Sequence, residues 1–198
     1  MKYIIGLTGP TGSGKTTVCQ ILKNEGIDII DCDIVARKIV EPGEPALEEI
    51  RKTFGDAIIN PDKTLNRKEL ASIVFSDAKK LKILNEITHK YISEYINSYI
   101  KAYTGKILGI DGAVLIGSGI DKKCDYILSV LASKEIRKKR IIKRDALLES
   151  DAKKRIDAQK NDYFYIENSD YIVYNNDEDK KSIYDKLKNI IKDIRSKS

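Results

Sequence analysis

Apolar and polar positions along this 198-residue chain alternate between two patterns. Short apolar runs without polar alternation are typical of strands that are buried on both faces of a parallel sheet. Longer stretches with apolar positions three and four residues apart predict amphipathic helices between these strands. Strands that alternate with helices indicate an α/β fold, in which helices cover a parallel sheet on both sides. The predicted strands are 3–8, 28–31, 106–111, 126–131 and 171–174.

One long segment lies outside this alternation. Between residues 41 and 104 no strand-like run occurs, so we interpret this segment as an insertion that forms a helical flap over a ligand pocket. Its last helix carries an apolar and aromatic stripe, which is more typical of a core than of a ligand site. The stripe consists of Leu81, Leu84, Ile87, Tyr91, Tyr95, Tyr99 and Tyr103. The predicted helices are one from Lys15 to a glycine stop at Gly26, one over 34–40, three in the insertion (46–53, 66–75, 77–103), a basic helix capped by Ser133, and two more over 151–160 and 177–194.

The segment from Gly9 to Thr16 reads GPTGSGKT and lies between the first strand and the first helix. Its spacing matches the phosphate-binding pattern, in which glycines let main-chain amides converge on a polyphosphate. Lys15 is expected to reach the β- and γ-phosphates of ATP, and the Thr16 hydroxyl to join the shell of a Mg²⁺ ion held through ATP. The alternative is a glycine turn before a surface helix. The predicted ATP-binding residues of this loop are Gly9, Thr11, Gly12, Ser13, Gly14, Lys15, Thr16 and, near the α-phosphate, Thr17.

Two carboxylates follow the second predicted strand, at the edge of the sheet where ligands of open α/β folds bind. Asp33 could take the proton from an attacking hydroxyl, and Asp31 is a second candidate, as a metal ligand. Asp33 could instead cap the helix that follows it. Arg37 lies one turn later and is a candidate for holding a phosphate of the acceptor.

Further candidates lie downstream. Asp111 ends the third strand and could contact the substrate or hold Mg²⁺ through water. Arg140 and Arg144 share a face of the basic helix and could close over ATP as part of a mobile lid, although a solvated cationic helix would show the same pattern. Asn175, in the turn after the last strand, completes the predicted nucleotide-binding set together with Arg144. His89 is the only histidine, and a lone histidine on such a helix is usually structural.

The composition limits which classes of ligand and partner are expected. A net charge of +6 suits polyanionic ligands, but many lysines fall on helices where a solvated face explains them, so nucleic acid is not favoured. No apolar stretch approaches the roughly 20 residues that cross a bilayer, and no secretory pattern opens the chain, so we expect a cytoplasmic location without a membrane partner. Small-molecule substrates and a monomer or weak homo-oligomer are expected. The three cysteines are scattered and are predicted to be small buried or half-buried thiols, with no disulfide framework or metal cluster.

Taken together, these motifs give the chain a resemblance to the dephospho-coenzyme A kinase family over nearly its whole length. The motifs that carry it are GLTGPTGSGKTT, IDCDIVAR, VEPGEPAL, an FG pair, LNR and LNEITHK. The resemblance implies a P-loop NTPase-like, three-layer α/β/α fold. It also implies a five-stranded parallel sheet in the order 2-3-1-4-5, an inserted helical substrate domain and an arginine-bearing lid. The implied reaction transfers the γ-phosphate of ATP to the ribose 3′-hydroxyl of dephospho-coenzyme A, the last step of coenzyme A synthesis.

The resemblance also implies roles at matching positions. Asp33 matches the general base, Lys15 and Thr16 the phosphate and Mg²⁺ groups, and Arg140 and Arg144 the lid. We therefore expect Asp33, Lys15 and Arg140 in catalysis, and Asp33, Arg37, His89 and Asp111 at the substrate. The chain is expected to be a single kinase domain, with a core of residues 1–40, 105–140 and 170–198, a substrate-binding insertion of residues 41–104 and a lid of residues 140–169.

The sequence departs from the family pattern at positions that the resemblance places around the acceptor pocket. Ala113 and Gly117 stand where the family has a proline and a glutamate, and Lys90 replaces a proline after His89. Residues 160–165, KNDYFY, replace a basic and acidic segment. Two alternatives therefore stay open: a P-loop kinase of another small acceptor such as a nucleotide, and an ATP-binding regulatory protein without turnover. A GTPase switch is not favoured, because the sequence has no NKxD tetrapeptide for reading guanine.

Overall fold

The computed structural model describes residues 2–176 and 180–197. The chain forms two compact units. The first is built from two stretches, one up to Ile30 and one from Thr104 onwards, and the second is formed by Asp31–Tyr103.

The first unit is organised by a parallel sheet. Five strands form this sheet: β1 (Tyr3–Thr8), β2 (Asp28–Asp31), β3 (Ile107–Asp111), β4 (Tyr126–Leu131) and β5 (Tyr171–Tyr174). Their order is β2-β3-β1-β4-β5, which confirms the predicted fold class and strand order. In the register, Leu7 lies opposite Asp111 of β3 on one side and Leu128 of β4 on the other. The carboxyl ends of these strands therefore meet at one edge of the sheet.

The described residues of the first unit form the helices α1 (Lys15–Asn24), α6 (Lys134–Asp145), α7 (Glu149–Asp157), α8 (Asp162–Glu167) and α9 (Lys180–Ser196). Helices α1, α8 and α9 contact strands of the sheet, and α7 packs against α6. The helix predicted over 151–160 is wrong in its bounds, because α7 ends at Asp157 and Asn161 caps a new helix by accepting the amide of Phe164. The predicted start of the last helix at Asp177 lies outside the described residues.

The hydrophobic core explains how α1 is fixed in place. Val18 and Leu22 of α1 are buried together with Leu187 and Ile191 of α9, against apolar side chains of β1, β4 and β5. Burying such a side chain contributes about 1.5–3 kcal/mol relative to leaving it exposed. The segment between β1 and the start of α1 is therefore held by packed elements at both ends.

The second unit is helical. It contains α2 (Cys32–Lys38), α3 (Pro45–Phe54), α4 (Arg67–Phe75) and α5 (Ala78–Ala102), with a short 3₁₀ helix at Asp56–Ile58. Pro45 occupies the first turn of α3, as its fixed φ favours. Helices α2, α3 and α4 each pack against α5.

The prediction that the aromatic stripe of α5 forms the core is wrong for most of its members. The buried residues of α5 are Ile87, Ile92 and Ile96, and only Ile87 belongs to the stripe. The tyrosines stay at the edge because each phenolic hydroxyl needs a polar partner. Tyr91 Oη donates to Glu49 Oε2 of α3 at 2.7 Å, and Tyr95 Oη accepts from Lys38 Nζ at 3.3 Å.

Candidate functional site

The phosphate loop connects β1 to α1 and requires glycine at particular positions. Gly9 has a φ of 148° and Gly14 a φ of 90°, which side chains rarely adopt. A Cβ on Gly9 would lie 2.2 Å from the Val130 carbonyl oxygen, and one on Gly14 would lie 2.0 Å from Asn175 Nδ2. At Gly9 the close atom belongs to the backbone, so a side chain does not fit, and at Gly14 the positive φ is the main reason for glycine, because the close atom is the end of the Asn175 side chain. The two glycines lie at the positions that the phosphate-binding pattern predicts.

Several backbone amides at the start of α1 have no hydrogen-bond acceptor within the described residues. Gly14 is the N-cap and gives no side-chain cap, while the amides of Thr17 and Val18 bond to the Gly14 carbonyl. The amides of Gly12, Gly14 and Thr16 have no acceptor among residues 2–176 and 180–197. The positive end of the helix dipole lies at the same point. This arrangement fits a polyphosphate, because its oxygens would satisfy the amides that the protein leaves open.

Lys15 contacts an acid from the neighbouring strand. Its Nζ lies 2.6 Å from Oδ1 of Asp111, which ends β3, and both side chains are largely buried. The other carboxylate oxygen of Asp111 accepts from Cys19 Sγ at 3.3 Å. Burial, together with the adjacent Asp111 charge and this hydrogen bond, raises the pKa of the Cys19 thiol to about 12. Cys19 is therefore a neutral donor that helps to fix Asp111, and Cys32 and Cys124 are half-buried thiols, as predicted.

Arg140 of α6 joins the loop to the turn after β5. Its Nη1 donates to the carbonyl oxygens of Gly12 and Ser13, each at 3.1 Å. Its Nη2 donates to the backbone oxygen and to Oδ1 of Asn175, each at 3.0 Å. Arg140 and Asn175 therefore both lie at the loop. Arg144 does not, because its exposed guanidinium pairs with the Asp145 carboxylate at 2.7 and 2.9 Å.

Arg137 contacts the loop, although the sequence around it does not predict this. The basic composition of α6 indicates a solvated face, yet Arg137 is 1% exposed. Its Nε donates to the Thr11 carbonyl oxygen at 3.0 Å, and its Nη2 donates to Gln159 Oε1 at 2.9 Å. Burial lowers the pKa of this guanidinium. The available signal is spacing, since Arg137 lies four residues before the buried Ile141 and so shares its inward face.

In the second unit, Asp31 and Asp33 have different structural roles. Helix α2 begins at Cys32, and Oδ1 of Asp31 accepts the amides of Asp33 at 2.8 Å and Ile34 at 3.1 Å. The alternative in which Asp33 caps the helix is therefore wrong, because Asp31 is the cap. Asp33 lies in the first turn with an exposed carboxylate, which has no hydrogen-bond partner in the described part of the chain.

The remaining predicted residues of the second unit are also exposed. Arg37 lies in the last turn of α2 and His89 near the middle of α5. Lys90, which follows His89, donates to Glu49 Oε2 of α3 at 2.8 Å, and this bond lowers the pKa of the Glu49 carboxyl. Lys90 therefore links α5 to α3 within the unit.

Comparison with known proteins assigns the family. A family model described as dephospho-CoA kinase matches residues 3–181. The chain belongs to the dephospho-CoA kinase family. A dephospho-CoA kinase of Corynebacterium glutamicum is 40% identical over 195 residues, which cover 96% of this chain and 98% of that protein.

Solved structures agree with this family. A crystal structure of a Thermus thermophilus protein matches 97% of each chain, with a TM-score of 0.82 and 25% identity. A dephospho-CoA kinase from Campylobacter jejuni matches 98% of each chain, with a TM-score of 0.72 and 27% identity. The predicted family and enzyme class, an ATP-dependent phosphotransferase with an alcohol acceptor, are thereby confirmed.

One departure from the dephospho-CoA kinase pattern after β3, Gly117, has a local structural basis. Gly117 has a φ of 82°, and its amide donates to Asp121 Oδ2 at 2.8 Å. The carbonyl oxygen of Ala113 accepts from Thr8 Oγ1 at 3.4 Å. This loop therefore has a turn that favours glycine where the family has a glutamate.

Across the described residues, no helix combines the length and the apolar composition that spanning a membrane needs.

Proposed function

We propose that this chain transfers the γ-phosphate of ATP to the ribose 3′-hydroxyl of dephospho-coenzyme A. The observation that carries the proposal is the cradle of open amides at the start of α1, next to Lys15. The family of the chain supports dephospho-coenzyme A as the acceptor. Phosphoryl transfer needs positioning and charge neutralisation more than covalent chemistry, and the cradle is suited to both.

The nucleotide would be held by main-chain donors first and by side chains second. We assign the phosphates to the amides of Gly12, Gly14 and Thr16, with the Lys15 ammonium on the β- and γ-phosphates. In the structure this ammonium pairs with Asp111, so ATP would compete with Asp111 for Lys15. Arg140, already fixed on the loop carbonyls, is assigned to neutralise charge on the transferred group. Thr17 and Asn175 complete the assigned nucleotide contacts, and Arg144 joins them only if it leaves Asp145.

We assign Mg²⁺ to the Thr16 hydroxyl and the ATP phosphates. Thr16 is exposed at the first turn of α1, one residue after Lys15, where an oxygen ligand is needed. When bound, Mg²⁺ neutralises the β- and γ-phosphate oxygens. Asp31 is a poorer candidate than the sequence indicates, because its Oδ1 already accepts two amides of α2.

We assign Asp33 as the general base. Its exposed carboxylate makes no capping hydrogen bond, because Asp31 caps the helix, so it is available to accept the proton of the acceptor hydroxyl. Arg37 and His89 are assigned to the acceptor, with Arg37 on its phosphate groups. On this assignment the insertion 41–104 binds the acceptor and the segment 140–169 is the lid.

An acceptor panel tests the proposal. Purified protein is incubated with ATP, Mg²⁺ and either dephospho-coenzyme A or a set of nucleoside monophosphates, and ADP release is followed in a coupled assay. We expect turnover with dephospho-coenzyme A alone. Turnover with nucleotides and none with dephospho-coenzyme A would refute dephospho-coenzyme A as the acceptor. Tight ATP binding without any turnover would favour a regulatory protein.

A further inference from the structure

The main chain at Thr11 is held on both of its sides by side chains from outside the phosphate loop. Its carbonyl oxygen accepts from Arg137 Nε at 3.0 Å, and its amide donates to Gln159 Oε1 at 2.9 Å. The same Gln159 oxygen accepts from Arg137 Nη2 at 2.9 Å. Thr11, Arg137 and Gln159 therefore form a closed ring of hydrogen bonds, which we call the Thr11 clamp.

The clamp also contacts the loop through packing. A Cβ placed on Gly12 would lie 2.8 Å from the carbonyl oxygen of Arg137 and 3.0 Å from its Cα. The loop therefore rests directly on the backbone of α6 at the residue whose side chain grips Thr11. A shift of α6 at this point would move the loop.

The guanidinium of Arg137 is costly to bury and is compensated locally. A buried charge without partners is strongly destabilising, so its retention needs counter-charges or acceptors. Asp162 Oδ1 lies 3.6 Å from Nη1, and two of the remaining donors bind the clamp acceptors. Asp162 belongs to residues 160–165, the segment at which the sequence departs from the family pattern. That segment therefore supplies the counter-charge of the clamp.

We propose that Arg137 and Gln159 are positioning residues that preset the phosphate loop for its ligand. Neither residue needs to touch the nucleotide. They fix both peptide groups of Thr11, so that the following amides face the phosphates without a rearrangement on binding. Preorganised donors bind more tightly because ordering them costs nothing at the moment of binding. The inference rests on the phosphate loop binding ATP, which is part of the proposed function, but not on the identity of the acceptor.

Calorimetric titration with ATP in the presence of Mg²⁺ tests the clamp. Arg137→Met keeps a long side chain but removes the donors, and Gln159→Ala removes the shared acceptor. We expect each variant to weaken ATP binding about tenfold or more, because the loop amides would then have to be ordered at the moment of binding. Arg137→Lys should recover part of the loss. The double variant should bind ATP no more weakly than the worse single variant, since both act through Thr11.

The matched control is Lys138→Met, one residue along α6. Lys138 pairs with Glu135 and Glu149 and does not contact the loop, so ATP binding should be unchanged. If Arg137→Met does not fold, Arg137→Met/Asp162→Asn removes both charges, and Gln159→Ala tests the clamp with Arg137 in place. Wild-type ATP affinity in folded Gln159→Ala, or additive losses in the double variant, would overturn the proposal. A protein without transfer to dephospho-coenzyme A but with this pattern of ATP binding would refute the proposed function and keep the clamp.

Discussion

The phosphate loop and the exposed residues of the second unit represent two ways of building a site. In the loop, the backbone of Thr11, Gly12 and Ser13 is held by arginine and glutamine side chains, so its geometry exists before any ligand arrives. Asp33 and His89 are exposed, and the described residues offer their side chains no hydrogen-bond partner. On the proposed assignments, the phosphate tail of ATP meets a rigid cradle, whereas the acceptor must organise the side chains assigned to it.

Substitutions in the loop and in the second unit test whether these two regions have different roles. Substitutions at the loop are expected to change ATP binding or the transfer of its phosphate. Substitutions at the exposed residues of the second unit are expected to change kcat or the KM of the acceptor, with the affinity for ATP preserved.

The largest effect is expected for Lys15→Ala. On the proposed assignment, removing the ammonium takes away the charge that would neutralise the β- and γ-phosphate oxygens, so turnover should fall to background. The coupled ADP-release assay measures this. Lys23→Ala, an exposed lysine of the same helix, is the control and should keep wild-type turnover. A near-normal kcat in Lys15→Ala would contradict the assignment of Lys15.

The next largest effect is expected for Asp33→Asn. The amide keeps the shape of the side chain but cannot accept the proton, so kcat should fall about a hundredfold or more while ATP affinity stays within about twofold. Steady-state kinetics and ATP titration measure the two quantities. Asp31→Asn is the matched variant, because an asparagine cap still accepts the amides of α2. Equal losses in both variants would contradict the assignment of Asp33 as the general base, because the two carboxylates would then contribute alike.

A smaller effect is expected for Arg37→Ala. Loss of a charge-assisted hydrogen bond to a phosphate of the acceptor should raise the KM for dephospho-coenzyme A about tenfold and leave kcat for saturating acceptor close to wild type. Lys52→Ala removes a cation from an exposed position of the same unit and is the control. His89→Gln should change the same KM by less. An unchanged KM in Arg37→Ala would remove Arg37 from the acceptor site.

The smallest effect concerns the thiol that fixes Asp111. With Cys32 and Cys124 changed to serine, alkylation of Cys19 by iodoacetamide at pH 8 should be slow, because burial and the Asp111 charge raise the pKa of its thiol to about 12. Asp111→Asn should speed the reaction by removing that charge. The folded thiol stays protonated above the ordinary thiol pKa, where the unfolded thiol ionises. Its contribution to stability is therefore present below that pKa and is lost as the pH rises towards 12. Fast alkylation of Cys19 in the protein that retains Asp111 would contradict the raised pKa of the thiol.

The sequence predicts the fold well because its signals are local. Buried apolar runs and the spacing GPTGSGKT each depend on a few adjacent residues, and they predict the five strands and the loop between β1 and α1. The strand order 2-3-1-4-5 follows from the family resemblance and not from these local signals, and the structure has that order. The end of α7 and the start of α8 were missed, since a single asparagine cap decides them.

The site was predicted less completely because burial of a charge is a tertiary property. Arg137 lies among lysines and arginines that are solvated, and only its contacts with Thr11 and with Gln159, 22 residues further on, distinguish it. Cap identity also depends on geometry: Asp31 and Asp33 both suit an N-cap, and the bond from the Asp33 amide to Asp31 decides between them. The tyrosines of α5 misled the core prediction because their rings are apolar while their hydroxyls require polar partners.

The most direct test of the proposed reaction compares dephospho-coenzyme A with its analogue that lacks the ribose 3′-hydroxyl. Product mass and ³¹P nuclear magnetic resonance spectra are recorded after incubation with ATP and Mg²⁺. We expect one new phosphomonoester on dephospho-coenzyme A and none on the deoxy analogue. Phosphorylation of the analogue, or ATP consumption with no phosphate gained by dephospho-coenzyme A, would contradict the proposed reaction.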